Sequence, residues 1–273
     1  MISPLFIFLS FIWFTMGAAV GSFLNVLIYR SISGEQWVKG RSHCDFCHQP
    51  LSWYDNIPLL SFYMLQGKTR CCGKFLSISH PVVEFLIGSL FLWWYWGGTI
   101  FFQLTQAPFT VLQPLFWLIV GILLILVLVI DWVYMIIPDV IVVILLLLSL
   151  VYRVILTAGG IMQGADFINS LLAAAGSGLF FWLLWKGTKG KGLGFGDVKF
   201  VVPMALLVGW PSILVALMTS FVVGAMVGVG MLVAGKAALR KPIPFGPFLV
   251  TGTIVAVFYG NQILSWYIGT LMN

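Results

Sequence analysis

Residues 109–131 read FTVLQPLFWLIVGILLILVLVID, a stretch that is apolar almost throughout and ends on an aspartate. A helix of about 20 apolar residues crosses the hydrocarbon core of a bilayer, which is about 30 Å thick. The stretch therefore predicts a membrane-spanning helix over residues 109–130.

Seven further stretches of the same kind flank this one: 4–29, 82–104, 138–157, 167–185, 198–211, 213–235 and 245–270. Of the 273 residues, 61% are hydrophobic and 8% are charged, whereas an ordinary soluble domain has about 25% charged residues. This composition excludes a soluble globule. We predict an all-α polytopic membrane protein with about eight transmembrane helices, in contact with membrane lipid.

The charges predict an orientation in the membrane. The chain has 14 basic and 8 acidic residues, for a net charge of +6. Bases in short loops concentrate on the cytoplasmic side. In an alternating topology 13 of the 14 bases fall on one side, and only Arg153 lies near the other. Topology thus explains the positive charge, and no nucleic-acid partner is expected.

The largest segment between spans covers residues 30–81 and holds all four cysteines and all three histidines. We expect three parts: a first transmembrane helix (1–29), a small cytoplasmic cysteine-rich, zinc-binding-like domain (30–81), and a seven-helix membrane domain with the peptidase chemistry argued below (82–273). A segment this small buries little core alone, so it needs a metal or the membrane bundle for support.

Acidic residues next to the spans are the first candidates for chemistry. A charged aspartate at the centre of a bilayer costs about 2.5–3.5 kcal/mol on insertion scales, so such residues usually face a cavity or a partner. Four acids lie at such positions: Glu84, Asp131, Asp139 and Asp197.

Asp131 and Asp197 approach the membrane from the same side in the predicted topology. Adjacent carboxylates cannot both ionise cheaply, so one keeps its proton and the pair can share a water molecule. We therefore predict aspartic-protease chemistry with these two residues as the catalytic pair. The glycines of Gly194-Phe195-Gly196-Asp197 would let a substrate strand come close.

The span that follows Asp197 is short. About 14 residues, or about 20 Å of helix, separate it from the turn at Gly209-Trp210-Pro211. Such a segment does not cross a bilayer unaided, which would recess Asp197 in a wet pocket lined by protein.

Structural roles remain open for the same acids. Asp139 follows Pro138 at a helix start, which is typical of a carboxylate that caps free amides. Asp197 could likewise cap the next helix, and Asp131 could face lipid headgroups. A phosphate loop at Asp197 is disfavoured, because the glycines end in an acid without a following Lys-Ser/Thr.

The cysteines form a second candidate site. Cys44 and Cys47 make a C-x-x-C pair, and Cys71 and Cys72 follow as neighbours. Four thiolates suit tetrahedral zinc, and disulfides are rare in the cytosol. We expect these four residues as metal ligands. Adjacent cysteines seldom bind one metal together, so His43 or His48 stays an alternative ligand, as do thiols without a metal or with a redox role.

Several separated motifs resemble one known family. They are Gly21-Ser22-Phe23-Leu24-Asn25-Val26, Arg41 to Cys47, Leu51 to Pro58, Pro81-Val82-Val83-Glu84, Asp131 with Ile137-Pro138-Asp139, Gly194 to Lys199, and Ile243 to Phe248. In this order, and over nearly the whole chain, they are similar to the bacterial type IV prepilin peptidases, which are GxGD-type aspartyl membrane proteases and N-methyltransferases.

The resemblance implies a function and its residues. It implies cleavage of the leader peptide from type IV prepilins or type II secretion pseudopilins, by Asp131 and Asp197, at the cytoplasmic face of the bacterial inner membrane. It also implies N-methylation of the new N-terminal residue by S-adenosyl-L-methionine. For that reaction Gly67, Lys68 and Glu84 are candidates. Structural Zn²⁺ is implied on the cysteines.

Two departures from the family pattern keep alternatives open. Thr69 stands where the family has the first cysteine of its second C-x-x-C, and Ser79-His80 replaces an Arg-Tyr pair. One alternative is therefore a peptidase without methyltransferase activity. From another class, a proton-coupled transporter would also need buried acids, although paired broken helices in two similar halves are not evident. Asp45 and Asp55 are weak candidates for binding a basic leader.

Overall fold

The computed structural model describes residues 3–33, 42–44, 46–102, 109–234 and 243–271. Within these ranges the chain is helical, and extended pairing is limited to two isolated bridges. The helices are α1 (Pro4–Ser33), α2 (Leu60–Met64), α3 (Ser79–Trp93), α4 (Thr99–Phe101), α5 (Phe109–Tyr134), α6 (Asp139–Ala158), α7 (Gly164–Gly187), α8 (Phe195–Val208), α9 (Ser212–Val233) and α10 (Gly246–Leu271).

The predicted all-α membrane fold is confirmed, and each of the eight predicted spans coincides with helix. Among the described residues, six helices are long and apolar enough to cross a membrane: α1, α5, α6, α7, α9 and α10. The predicted span 82–104 is interrupted, since α3 passes through a π-helical turn at Trp94–Gly98 before α4. The predicted span 198–211 corresponds to α8, which is short, with 14 residues.

The chain divides into two compact units, residues 1–126 and 127–273, and α5 contributes to both. In the first unit α1 packs along α3. A Cβ atom at Gly17 would lie 2.7 Å from Phe91, and one at Gly21 would lie 2.8 Å from Glu84. The two glycines are four residues apart, the small-xxx-small spacing that lets membrane helices approach closely.

In the second unit α8 is the central helix. It packs against α6, α7, α9 and α10, and nine of its 14 residues are buried. Protein encloses the backbone polar groups of α8. A helix too short to cross a bilayer can therefore lie within one. Its N-terminal turn carries Asp197.

Candidate functional site

Asp131 lies in the last turn of α5 and is buried. Its Oδ2 atom accepts a hydrogen bond of 2.9 Å from the backbone N–H of Gly246, the first residue of α10. A Cβ atom at Gly246 would lie 2.6 Å from that oxygen, so only glycine brings the amide this close. Burial among protein atoms contradicts the alternative in which Asp131 faces lipid headgroups.

Asp197 is the third residue of α8 and is also buried. Its Oδ2 atom accepts a 3.1 Å hydrogen bond from the N–H of Gly194, the residue that precedes the helix. A hydrogen bond from the N-cap amide to the carboxylate of the third helical residue is one of the two bonds that define a capping box. The capping role expected for Asp197 is thus present, in addition to any chemistry.

The two aspartates lie within electrostatic range of each other. The connection after α5 makes this possible: a Cβ atom at Gly196 would lie 3.2 Å from Ile137, so α8 begins directly against that connection. Met135 begins the turn with a left-handed backbone (φ 55°). The structure therefore brings together the two carboxylates that the sequence singled out.

Asp139 does not cap α6 as expected. The N-cap is Pro138, and Asp139 follows it as the first helical residue. The Oδ1 atom of Asp139 instead accepts a hydrogen bond of 2.6 Å from the ammonium of Lys199, on the exposed side of α8. The acid thus ties the start of α6 to the first turns of α8.

All four cysteine Sγ atoms lie within 4.8 Å of one another. Cys44 and Cys72 approach to 3.8 Å, and Cys47 and Cys71 to 3.2 Å. Tetrahedral zinc with Zn–S bonds of about 2.3 Å sets its sulfurs about 3.8 Å apart, so the cluster fits such an ion. The four predicted ligands therefore come together, although Cys71 and Cys72 are neighbours.

The two halves of the cluster repeat one backbone motif at an offset of 25 residues. In the first, Cys44 N–H donates to Gln49 O and Leu51 N–H to Ser42 O; in the second, Thr69 N–H donates to Lys74 O and Leu76 N–H to Gly67 O. The isolated bridges His43–Pro50 and Lys68–Phe75 keep the same offset. Sequence reasoning missed this repeat, because few side chains are shared.

The repeat explains the departure at Thr69. Thr69 is the counterpart of Cys44, and Cys72 is the counterpart of Cys47. The Thr69 hydroxyl lies 3.1 Å from Cys72 Sγ. This hydrogen bond, together with one from the Lys74 backbone, lowers the pKa of the Cys72 thiol to about 7. The fourth thiol comes from Cys71, at the position that Phe46 has in the first motif.

A polar cleft lies in the first unit, between the N-terminal helices and the cysteine-rich segment. Glu84 of α3 lines it and is buried. Its Oε2 atom accepts a 2.8 Å hydrogen bond from the N–H of Leu59, whose φ of +59° is strained for a residue with a side chain. Ser22 also hydrogen-bonds this carboxylate, and His80 lies in electrostatic range.

The other residues predicted for methyl transfer lie beside this cleft without lining it. Lys68 is exposed, with its ammonium 5.1 Å from the centre of the Phe75 ring. Gly67 is buried with φ +72° and leaves space for Phe62, which lines the cleft. Of the three, the structure places only Glu84 on the cleft wall.

Asp45 and Asp55 are the two residues predicted as weak candidates for binding a basic leader, and the structure describes only Asp55. Asp55 forms an ion pair of 2.9 Å with Arg70, and its side chain is 10% exposed. It therefore already has a cationic partner. Asp45 lies outside the described residues.

Comparisons with known proteins show which family the chain is similar to. The family described as bacterial peptidase A24 N-terminal domain matches residues 15–97, and the type IV leader peptidase family matches residues 118–229. The prepilin leader peptidase/N-methyltransferase of Bacillus subtilis (strain 168) is 31% identical, over 94% of this chain and 97% of that protein.

Two further relatives have the same name. The protein of Legionella pneumophila is 30% identical over 93% of this chain and 92% of its own length. The protein of Aeromonas salmonicida is 29% identical, over 95% and 94%. No solved structure matches the chain.

Proposed function

The chain belongs to the type IV leader peptidase family, and from this membership we propose that it is a bifunctional membrane enzyme. It cleaves the leader peptide from type IV prepilins or type II secretion pseudopilins, and it methylates the new N-terminal amine. The observation that carries the proposal is the pair Asp131 and Asp197: two buried carboxylates in electrostatic range, each fixed by a glycine amide.

Peptide cleavage uses the two carboxylates as base and acid. Each has its Oδ2 atom occupied by a glycine N–H, which leaves Oδ1 of each aspartate for water and substrate. One aspartate takes a proton from water as the water oxygen attacks the scissile carbonyl, and the other donates a proton to the carbonyl oxygen. The tetrahedral intermediate then collapses, and the leaving amine takes a proton from the pair.

Methyl transfer takes place in the cleft around Glu84. The substrate S-adenosyl-L-methionine supplies a methyl group on a sulfonium ion. The amine nitrogen of the cleaved pilin forms the new N–C bond as the S–C bond breaks, and the amine proton passes to a base. Two acids, Asp55 and Glu84, line the cleft, and Asp55 is paired with Arg70. Glu84 can therefore hold the amine and accept that proton. Gly67 shapes the wall through Phe62, and Lys68 stays a candidate for binding the methyl donor.

The cysteine cluster holds a structural Zn²⁺ ion through Cys44, Cys47, Cys71 and Cys72. The sulfur spacing supports this assignment. A metal would fix the two repeated turns that form the outer wall of the cleft. The distribution of bases supports a cytoplasmic position for residues 30–81, and membership of the family supports the bacterial inner membrane as the location. A prepilin presents its leader to that same side.

One assay tests both activities. Purified enzyme in detergent receives a prepilin and S-adenosyl-L-methionine, and mass spectrometry reports loss of the leader and gain of a methyl group. Asp131→Asn and Asp197→Asn should each abolish cleavage. If both variants still shorten the substrate, the peptidase site is assigned to the wrong residues. Cleavage without any gain of a methyl group in the wild type would favour the alternative of a peptidase alone.

A further inference from the structure

Arg153 is the one base that does not follow the charge distribution of the chain. It lies inside α6, one of the six helices able to span a membrane. An arginine in such a helix is costly and needs partners. We therefore expect the Arg153 side chain to have hydrogen-bond partners within the second unit.

The partners of Arg153 are backbone carbonyls at the end of α8. Its Nε atom donates to Leu206 O at 2.8 Å, and its Nη2 atom donates to Leu207 O at 3.2 Å. The last carbonyls of a helix have no N–H donor within that helix. Leu206 and Leu207 are both buried. The planar guanidinium supplies donors to two neighbouring carbonyls at once.

Gly209 makes room for this contact. It ends α8 with φ +77°, and a Cβ atom there would overlap the guanidinium of Arg153. Arg153 also contacts Met162 Sδ at 3.3 Å and lies in electrostatic range of Asp166. The side chain is thus fixed from several directions, with its charge directed at the carboxyl end of α8.

The same helix holds the other end of α8 as well. Asp139 at the start of α6 bonds Lys199, two residues after Asp197. Since a helix is a stiff rod, with a rise of 1.5 Å per residue, ties at both ends fix its axial position. That position sets the height of the Asp197 carboxylate relative to Asp131, which is held separately by Gly246.

We propose that Arg153 is a positioning residue for peptide cleavage, which holds α8 at its carbonyl end so that Asp197 meets Asp131 in the reactive geometry. The inference rests on the proposed peptidase function. A misplacement of about 1 Å can cost about 100-fold in rate. We therefore expect Arg153→Met to lower kcat for cleavage by ~10–100-fold, with KM unchanged.

The test compares Arg153→Met, Arg153→Lys and a matched control, Lys186→Met, which removes an exposed base at the end of α7. The control should cleave at the wild-type rate, and Arg153→Lys should fall between wild type and Arg153→Met. Methyl transfer to a pre-cleaved peptide should be unchanged in all three, and their thermal unfolding midpoints in detergent should stay close to that of the wild type.

A double variant separates positioning from general destabilisation. Gly246→Ala would bring a Cβ atom to 2.6 Å from Asp131 Oδ2 and so displace that carboxylate, and Arg153→Met with Gly246→Ala should be no slower than the slower single variant. Wild-type kcat for Arg153→Met, a rise in KM alone, or additive losses in the double variant would each overturn the proposal. Residual cleavage by Asp197→Asn would instead refute the proposed peptidase site itself.

Discussion

At the scale of single residues, each aspartate depends on a glycine for its orientation. Gly246 and Gly194 each donate a backbone N–H to the Oδ2 atom of one carboxylate. Side-chain donors would carry rotational freedom that a backbone amide lacks. The site is therefore held ready before the substrate binds, which is how electrostatic preorganisation lowers a barrier.

Replacement of Gly246 tests this arrangement. In Gly246→Ala the N–H donor remains, but the new Cβ atom would stand 2.6 Å from Asp131 Oδ2 and must push the carboxylate away. We expect cleavage to slow by ~100-fold, measured as kcat on a prepilin. Gly230→Ala is the matched control, because beyond its own helix backbone no atom of the described residues lies within 4 Å of the Cβ position. Equal rates for the two variants would contradict the role of Gly246.

Cys71 and Thr69 allow a second residue-scale prediction. Cys71→Ser should weaken zinc binding by more than the ~10–100-fold typical of outer-shell substitutions, because a direct ligand is lost. Adding Thr69→Cys to that variant should restore zinc binding, since residue 69 is the counterpart of Cys44 in the repeat and lies 3.1 Å from Cys72. Zinc content after dialysis against a chelator measures both effects.

The control for the zinc prediction is Thr69→Ser in the Cys71→Ser background, which supplies no thiol. It should stay as poor in metal as Cys71→Ser. Two results would contradict the prediction: zinc retained by Cys71→Ser, or zinc still absent when Thr69→Cys is added to it. Either would mean that a thiol at residue 69 does not replace the one at residue 71 as a zinc ligand.

At the scale of elements, the close crossing of α1 and α3 positions Glu84. Gly21 lies against the backbone of Glu84 itself. Gly21→Val should force α3 away from α1, moving Glu84 in the cleft and lowering methyl transfer by ~10–100-fold. The neighbouring Ala19 is exposed, so Ala19→Val adds similar bulk without a clash. Methyl transfer to a pre-cleaved peptide measures the difference, and equal effects of the two variants would refute the prediction.

The helices could be predicted from the sequence because hydropathy reports burial in lipid directly. Each of the eight predicted stretches coincides with helix, and six of these helices, among the described residues, are long and apolar enough to cross a membrane. The shortness of α8 also follows from the distance between Asp197 and Gly209. The π-helical turn at Trp94–Gly98 was not found, since an uninterrupted apolar run does not distinguish it from α-helix. Asp131 and Asp197 stood out because carboxylates in apolar surroundings are costly and rare.

The partners of these residues could not be predicted. Gly246 lies 115 residues from Asp131 in the chain, and a backbone donor has no side-chain signature. Leu206 and Leu207 likewise bind Arg153 through carbonyls. Arg153 was visible only as an exception to the distribution of bases. The repeat of the cysteine turns was hidden for the same reason, because hydrogen bonds between backbone atoms define it.

At the scale of the whole molecule, the two proposed reactions belong to different compact units. Glu84 lies in residues 1–126, and Asp131 and Asp197 lie in residues 127–273. Each site is built entirely from its own unit. Glu84→Gln should therefore abolish methyl transfer and leave cleavage at the wild-type rate, while Asp197→Asn should do the reverse with a pre-cleaved peptide as methyl acceptor.

If the sites are independent, two defective chains should complement each other. An equal mixture of Glu84→Gln and Asp197→Asn in detergent should yield mature, methylated pilin, because product cleaved by the first variant can diffuse to the intact methylation site of the second. A mixture of Asp131→Asn and Asp197→Asn is the control and should yield no cleaved product, since both lesions lie in one site. Mass spectrometry of the pilin N-terminus separates the outcomes. Cleaved but unmethylated pilin from the first mixture would mean that both reactions must occur on one chain.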